Sequence, residues 1–210
     1  MPAYVAAKQH AVAKLFPHVV RLARAVRHRA KHAAVALLAA ALPCAALAAG
    51  FTLSSKAVAD GRTLSLQQVY DSGTCHGGNV SPDVAWRNTP RNTRSIAITL
   101  YDPDARQGKG WWHWIVVDIP AATHALPAGA GSAAGALPHG AIQARNDFGD
   151  SHFGGACPPV GDAPHHYQLT AWALDVAKLP VTPESTGPQI LPLLKAHTLA
   201  ITRITARYGR

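Results

Sequence analysis

The side chains able to do chemistry in this chain gather in three short segments. Tyr101-Asp102-Pro103-Asp104-Ala105 supplies carboxylates, and Gly110-Trp111-Trp112-His113-Trp114 sets an imidazole among indoles. Cys157-Pro158-Pro159 then leads into His165-His166-Tyr167, with two more imidazoles and a phenol. Each segment lies where apolar alternation meets a Gly/Pro loop, the usual place for a β-scaffold to build a pocket. The rings of His113, His165 and Tyr167 all donate hydrogen bonds, and an imidazole gains a proton near neutral pH. That set suits a phosphate oxyanion. Asp102 would repel a bare phosphate, so its work is to orient an imidazole or to receive the ammonium of a zwitterionic headgroup. Two His and one carboxylate also make an open metal site. No HExxH or comparable ligand spacing accompanies them, and no metal or cofactor is expected. Each residue also has a plain alternative. Asp102-Pro103-Asp104 is a turn sequence, His113 could be a hydrogen-bonded core histidine, His165 could face solvent, and the indoles could simply pack.

The elements that must position these residues read as strands. Ser95-Ile96-Ala97-Ile98-Thr99-Leu100 alternates with its even positions apolar, the pattern of a half-buried strand. Trp111 to Ile119 is apolar on both parities, as in a central strand, and Tyr167 to Leu174 forms a third. Asp102 continues the parity of Ile96, Ile98 and Leu100. His113 shares parity with Trp111, Ile115 and Val117, and His165 shares it with Tyr167, Leu169 and Ala171. Each strand therefore ends an apolar row in a polar group, and where the ends meet they form a polar mouth over a hydrophobic floor. Residues 121–144, rich in Ala, Gly and Pro, read as a long crossing loop. Gly187-Pro188 followed by Ile190, Leu191, Leu193 and Leu194 predicts a short helix, with Pro192 working against it. In the last strand Leu199 and Ile201 take one parity and Ile204, Ala206 and Tyr208 the other, which a bulge near Arg203 would reconcile. Many strands, one late helix and frequent turns predict a mostly β sandwich.

Seven of the 20 Lys and Arg lie in the first 32 residues, which hold no Asp or Glu; of the formal charge of +9, only +2 remains on residues 33–210. The basic balance belongs to the leader, and a nucleic-acid partner is not expected. Residues 33–48 are apolar and end in Ala46-Leu47-Ala48, so 1–48 reads as a signal peptide with its h-region over 33–48. A membrane anchor is disfavoured because the stretch is shorter than the ~20 residues that span a bilayer, and Pro43 interrupts it. A transit peptide lacks its serines, and Cys44 follows a proline rather than a small residue, unlike a lipoprotein site. A periplasmic or secreted location is expected, with one domain over 49–210. Cleavage leaves Cys75 and Cys157, either bridged in an oxidising compartment or buried as free thiols.

In order and spacing these motifs resemble the phosphatidylethanolamine-binding protein family, in its bacterial Raf-kinase-inhibitor-like branch. The resemblance runs from about Phe51 to Tyr208. Asn79-Val80-Ser81-Pro82-Asp83-Val84-Ala85-Trp86 matches N-x-S-P-x-L-x-W with Val84 for Leu, and Ala173-Leu174-Asp175 matches an A-L-D strand end. The family implies a large antiparallel sheet packed on a smaller one, with a short C-terminal helix and long loops. Its pocket residues carry over as Asp102, His113, Pro158, Pro159, His165 and Tyr167. Arg106 stands where D-P-D-A usually continues with Pro, which sets a cation beside the mouth, and Ala156 replaces the first Pro of G-P-C-P-P. The leading expectation is an exported, non-enzymatic binding protein for a phosphate-like anion or a phospholipid headgroup. An inhibitor of an extracellular protease or other protein, contacting it through the 121–144 loop, is the alternative. A metal-dependent hydrolase ranks below both. A homodimer is compatible with either binding role.

Overall fold

Alternation along β3 (Ser95–Asp102) sends Ile96, Ile98 and Leu100 to one side and Ala97, Thr99 and Tyr101 to the other, and both sides find partners. The computed structural model describes residues 50–210. The proposed signal peptide 1–48 and its boundary at 49 lie outside the described residues. β3 pairs antiparallel with β4 (Trp111–Pro120) and β7 (His165–Leu174), as expected for the middle of a sheet. Short β6 (Ile142–Gln143) and long β8 (Thr198–Tyr208) complete a five-stranded antiparallel sheet in the order β6-β4-β3-β7-β8. A second, three-stranded sheet, β1-β2-β5, is built from Thr52–Ser54, Val84–Arg87 and Ala125–Leu126. The 121–144 segment does cross: it opens in the small sheet as β5 and closes in the large one as β6.

The inner core lies between the sheets. Val84 and Trp86 of β2 meet Ile96, Ile98, Leu100, Trp114, Tyr167 and Leu169 there, all almost fully buried. On the outer face of the large sheet, Ala97, Ile115, Val117 and Trp172 are covered by Ile190 and Leu194 of helix α1 (Gly187–His197). β3 is therefore buried on both faces rather than half-buried, because α1 covers the side that alternation alone would leave to water. α1 begins as expected: Gln189 Oε1 accepts from the Thr186 backbone N–H at 2.9 Å, and proline sits in its first turn. It continues through Pro192, whose ring stops neither end.

Two bulges reset the faces of β4. Ile96 pairs with Ile119 but Ile98 with Val116, and Leu100 pairs with Trp114 but Tyr101 with Trp112. The second bulge skips His113. A residue in a bulge leaves the strict period of two, so His113 departs from the face of Ile115 and Val117 and turns toward the inner side. β8 differs from expectation in the other direction. Its register with β7 is continuous from Tyr208 to Ala200, and the slip falls at Leu199, not near Arg203. Ile204 and Ala206 face the core, while Ile201 and Leu199 on the opposite parity are 50% and 41% exposed.

Candidate functional site

One end of the large sheet opens into a cavity of about 510 Å³. Asp102, His113, Pro158, Pro159, His165 and Tyr167 all line it, joined by Cys157, Arg106, Trp111, Tyr70, Phe148 and the turn Ser72-Gly73-Thr74. Asp102 and His165 arrive by the parity argument, at the C-terminal end of β3 and the N-terminal end of β7. His113 arrives by the bulge.

His113 is 3% exposed, and its Nδ1 lies 2.9 Å from the Gly154 carbonyl and 3.1 Å from that of Gly155. Carbonyls only accept, so Nδ1 carries the proton and donates, leaving Nε2 toward the cavity. The two glycines are needed for this approach. A Cβ on Gly155 would lie 2.5 Å from the Tyr70 nitrogen, and one on Gly154 would collide with the Phe148 ring. Burial pushes the His113 imidazole below its ordinary pKa, against the raising effects of the Gly154 carbonyl and the Asp102 charge.

Asp102 is committed elsewhere. Its Oδ1 accepts from the backbone N–H groups of Asp104 (2.8 Å) and Ala105 (3.1 Å), and its Oδ2 accepts from His165 Nδ1 at 2.7 Å. The Asp-Pro-Asp motif is thus both a turn and a wall of the site. His165 Nε2 faces Asp162 Oδ2 at 3.4 Å, so carboxylates flank both ring nitrogens. Burial alone would lower the His165 pKa, but the hydrogen bond and charge of Asp102 outweigh it and raise it. That shift favours the imidazolium, paired with Asp102 at 2.7 Å, and the ring is 6% exposed rather than left facing solvent. Tyr167 is raised, first by burial and then by Asp102, so its phenol stays a neutral O–H.

Three buried polar atoms on this lining have no hydrogen-bond partner among the described residues: Trp111 Nε1, His113 Nε2 and Tyr167 Oη. Buried polar atoms are nearly always paired. All three lie on the lining of one cavity. The Trp111 indole, for which packing is the plainer expectation, lines the cavity beside His113. Tyr70 and Phe148, stacked at 4.2 Å, had no signal in the sequence, since they come from distant loops. Phe148 also meets Trp111 and His113 edge-on, which makes one wall of the cavity aromatic.

The rim carries Arg106, over the Trp111 ring at 5.0 Å, with Nε and Nη2 donating to the Gly110 carbonyl and Nη2 3.4 Å from Asp147. Cys75 and Cys157 are bridged, their Cα atoms 5.9 Å apart, so the cysteines are not free thiols. The bridge ties the Ser72-Gly73-Thr74 turn to the Pro158-Pro159 turn. Among the described residues no three His, Cys, Asp or Glu side chains form a group able to hold a metal.

Residues 54–209 match the family model described as phosphatidylethanolamine-binding protein. The chain is 46% identical over 175 residues to the UPF0098 protein YbcL of Escherichia coli, covering 83% of this chain and 96% of that protein. It is 41% identical over 157 residues to the UPF0098 protein YbhB of the same organism, covering 75% and 99%. The crystal structure of E. coli YbcL, described as a new member of the mammalian PEBP family, superposes with a TM-score of 0.75 at 47% identity, covering 77% of this chain and 99% of that one.

Proposed function

The chain belongs to the phosphatidylethanolamine-binding protein family, and we propose that the cavity at the end of the large sheet is a non-catalytic site for a phosphoryl group, free or in a phospholipid-type headgroup. The observation that carries this reading is the set of three orphaned atoms. Trp111 Nε1–H and Tyr167 O–H are donors, and a phosphate oxygen accepts from both. His113 Nε2 accepts a P–O–H proton while neutral, or donates to an oxyanion once protonated. The Asp102–His165 pair supports the site rather than acting on the ligand, because both carboxylate oxygens already accept hydrogen bonds. Asp102 therefore orients an imidazole, and it is His165 that it orients. Arg106 adds a partly neutralised cation at the rim. With so much of the local charge internally paired, inorganic phosphate should bind weakly, and a headgroup gains from the aromatic wall.

Titration calorimetry of phosphate and phosphoethanolamine against wild type, Trp111→Phe, Tyr167→Phe and His113→Ala tests this. Each lost charge-assisted or buried hydrogen bond should weaken binding about ten-fold. His113→Ala binding both ligands as tightly as wild type would overturn the assignment. Export of the chain is part of the same proposal. The leader pattern ending at Ala48 and the Cys75–Cys157 bridge support it, since such bridges persist in oxidising compartments. N-terminal sequencing of the exported protein should return a residue near 49; a start before Ala33 would refute it.

A further inference from the structure

We propose that the opposite face of the large sheet carries a second binding site, for a small anion with a flat apolar body. A separate cavity of about 400 Å³ lies there, bounded by α1, β8 and the sheet itself. That volume is in the range of small-molecule sites. Its floor is the cross-strand pair Thr99 and Thr170 on β3 and β7. Tyr101, Trp112 and Trp172 form its walls, and Lys109, Lys195 and Arg203 reach it from three different segments.

No carboxylate lines this cavity, and none of the three cations is in an ion pair among the described residues. The threonine hydroxyls point the same way. Trp172 Nε1–H donates to Thr99 Oγ1 at 3.0 Å, and Arg203 Nε–H donates to Thr170 Oγ1 at 2.9 Å. Each hydroxyl oxygen is thus already accepting, and each keeps an O–H proton with no acceptor among the described residues. The polar groups around the cavity are therefore chiefly donors, and what they lack is negative charge. The Tyr101 and Trp112 rings pack on each other at 4.6 Å, and the aromatic lining they form with Trp172 favours a planar body that can lie against it. Arg203 is partly pre-positioned by Thr170, with its terminal nitrogens left over. This site shares no lining residue with the first cavity, so its fate is independent of the phosphoryl reading.

Phenyl phosphate and benzoate are suitable probes, followed through the indole N–H resonances of Trp112 and Trp172, with Trp111 reporting the first cavity. Both back-face indoles should shift saturably, with a dissociation constant on the order of 1 mM. Inorganic phosphate, which cannot stack, should move them far less. Lys195→Glu with Arg203→Glu should weaken phenyl phosphate about ten- to a hundred-fold at Trp112 and Trp172, while the Trp111 response to inorganic phosphate stays as in wild type. Lys195→Glu alone, on an exposed helix position, keeps the test valid if the double variant is unstable, and should weaken binding in the same direction. Unmoved Trp112 and Trp172 resonances in saturating phenyl phosphate, or unchanged affinity after charge reversal, would overturn the site.

Discussion

Because Nδ1 of His113 is committed to the Gly154 and Gly155 carbonyls, only Nε2 can answer a ligand, and its protonation sets what that ligand must offer. Burial holds the free imidazole below its ordinary 6.5, and a bound oxyanion would favour the imidazolium and raise it again. Phosphate affinity should therefore be greatest below the free pKa. It should fall as pH rises through the window between the free and bound values, and then level off. Calorimetry in two buffers of different ionisation heat should show proton uptake on binding; affinity that climbs with pH would contradict this. His165 behaves oppositely in the folded chain. Its pKa is raised, so the stability it contributes is present below about 6.5 and is lost as pH rises through the folded value. For His113, depressed in the folded state, stability is lost instead as pH falls from 6.5 toward the folded value. Asp102→Asn removes the charge that raises His165. Its pKa should fall by NMR titration, since only the weaker raising effects of Asp162 and Asp104 then oppose burial, and the high-pH decline in stability should flatten.

Local departures from regular structure do much of the positioning among the elements. The bulge in β4 at His113 puts an imidazole where strict alternation would have placed it under α1. A second bulge near Asp118, itself at φ +59°, ends the row with a carboxylate that accepts the Leu179 N–H at 2.9 Å. Residues Ala105–Gly108, beside the cavity, form a turn in which Arg106 and Gln107 both take left-handed dihedrals, with φ of +51° and +60°. A non-glycine residue there costs about 1–2 kcal/mol. Gln107→Gly should then stabilise the fold by about 0.5–1 kcal/mol after the extra chain entropy of glycine, measured by urea unfolding; destabilisation would show that the Gln107 side chain holds the turn. On the outer face, Leu194 of α1 is fully buried over the sheet. Leu194→Ala should cost about 2–5 kcal/mol, read from the same unfolding curves.

At the scale of the whole molecule, the Cys75–Cys157 bridge closes a loop of 82 residues. Chain-entropy arguments assign such a closure about 4.5 kcal/mol. Arg210 reinforces the same wall: its guanidinium donates to the Thr74 carbonyl at 2.6 Å, to the Thr74 hydroxyl at 2.8 Å and to the Pro158 carbonyl. Arg210 and the disulfide thus clamp the same two turns of the cavity. Cys75→Ser with Cys157→Ser should lower stability by about 2–5 kcal/mol and weaken phosphate binding, because Pro158, Pro159 and the 72–74 turn would no longer be held. If unfolding shifts and calorimetry does not, the wall is rigid without the bridge.

Sequence alone determined the mostly β fold, the central place of β4, the late helix and, through the family resemblance of its motifs, the six residues that line one cavity. Those are consequences of alternation, of Gly/Pro punctuation and of motif spacing, all of which act over a few residues. It also placed Asp102 and His165 on the inner face, since nothing interrupts the period between them and the core row. Only the tertiary structure decided how His113 joins them, because a bulge is one unpaired residue against a partner strand that the sequence of β4 does not contain. The same holds for Arg203, where a bulge was expected, and for Leu199, where the slip lies: the register of β8 is set by β7 and by the turn out of α1. The pairing of Asp102 with His165 rather than with a ligand, the Tyr70–Phe148 wall and the cationic cavity behind the sheet are likewise meetings of segments distant in the chain. Local periodicity specifies which face a side chain takes, but it carries no information about what arrives at that face from elsewhere.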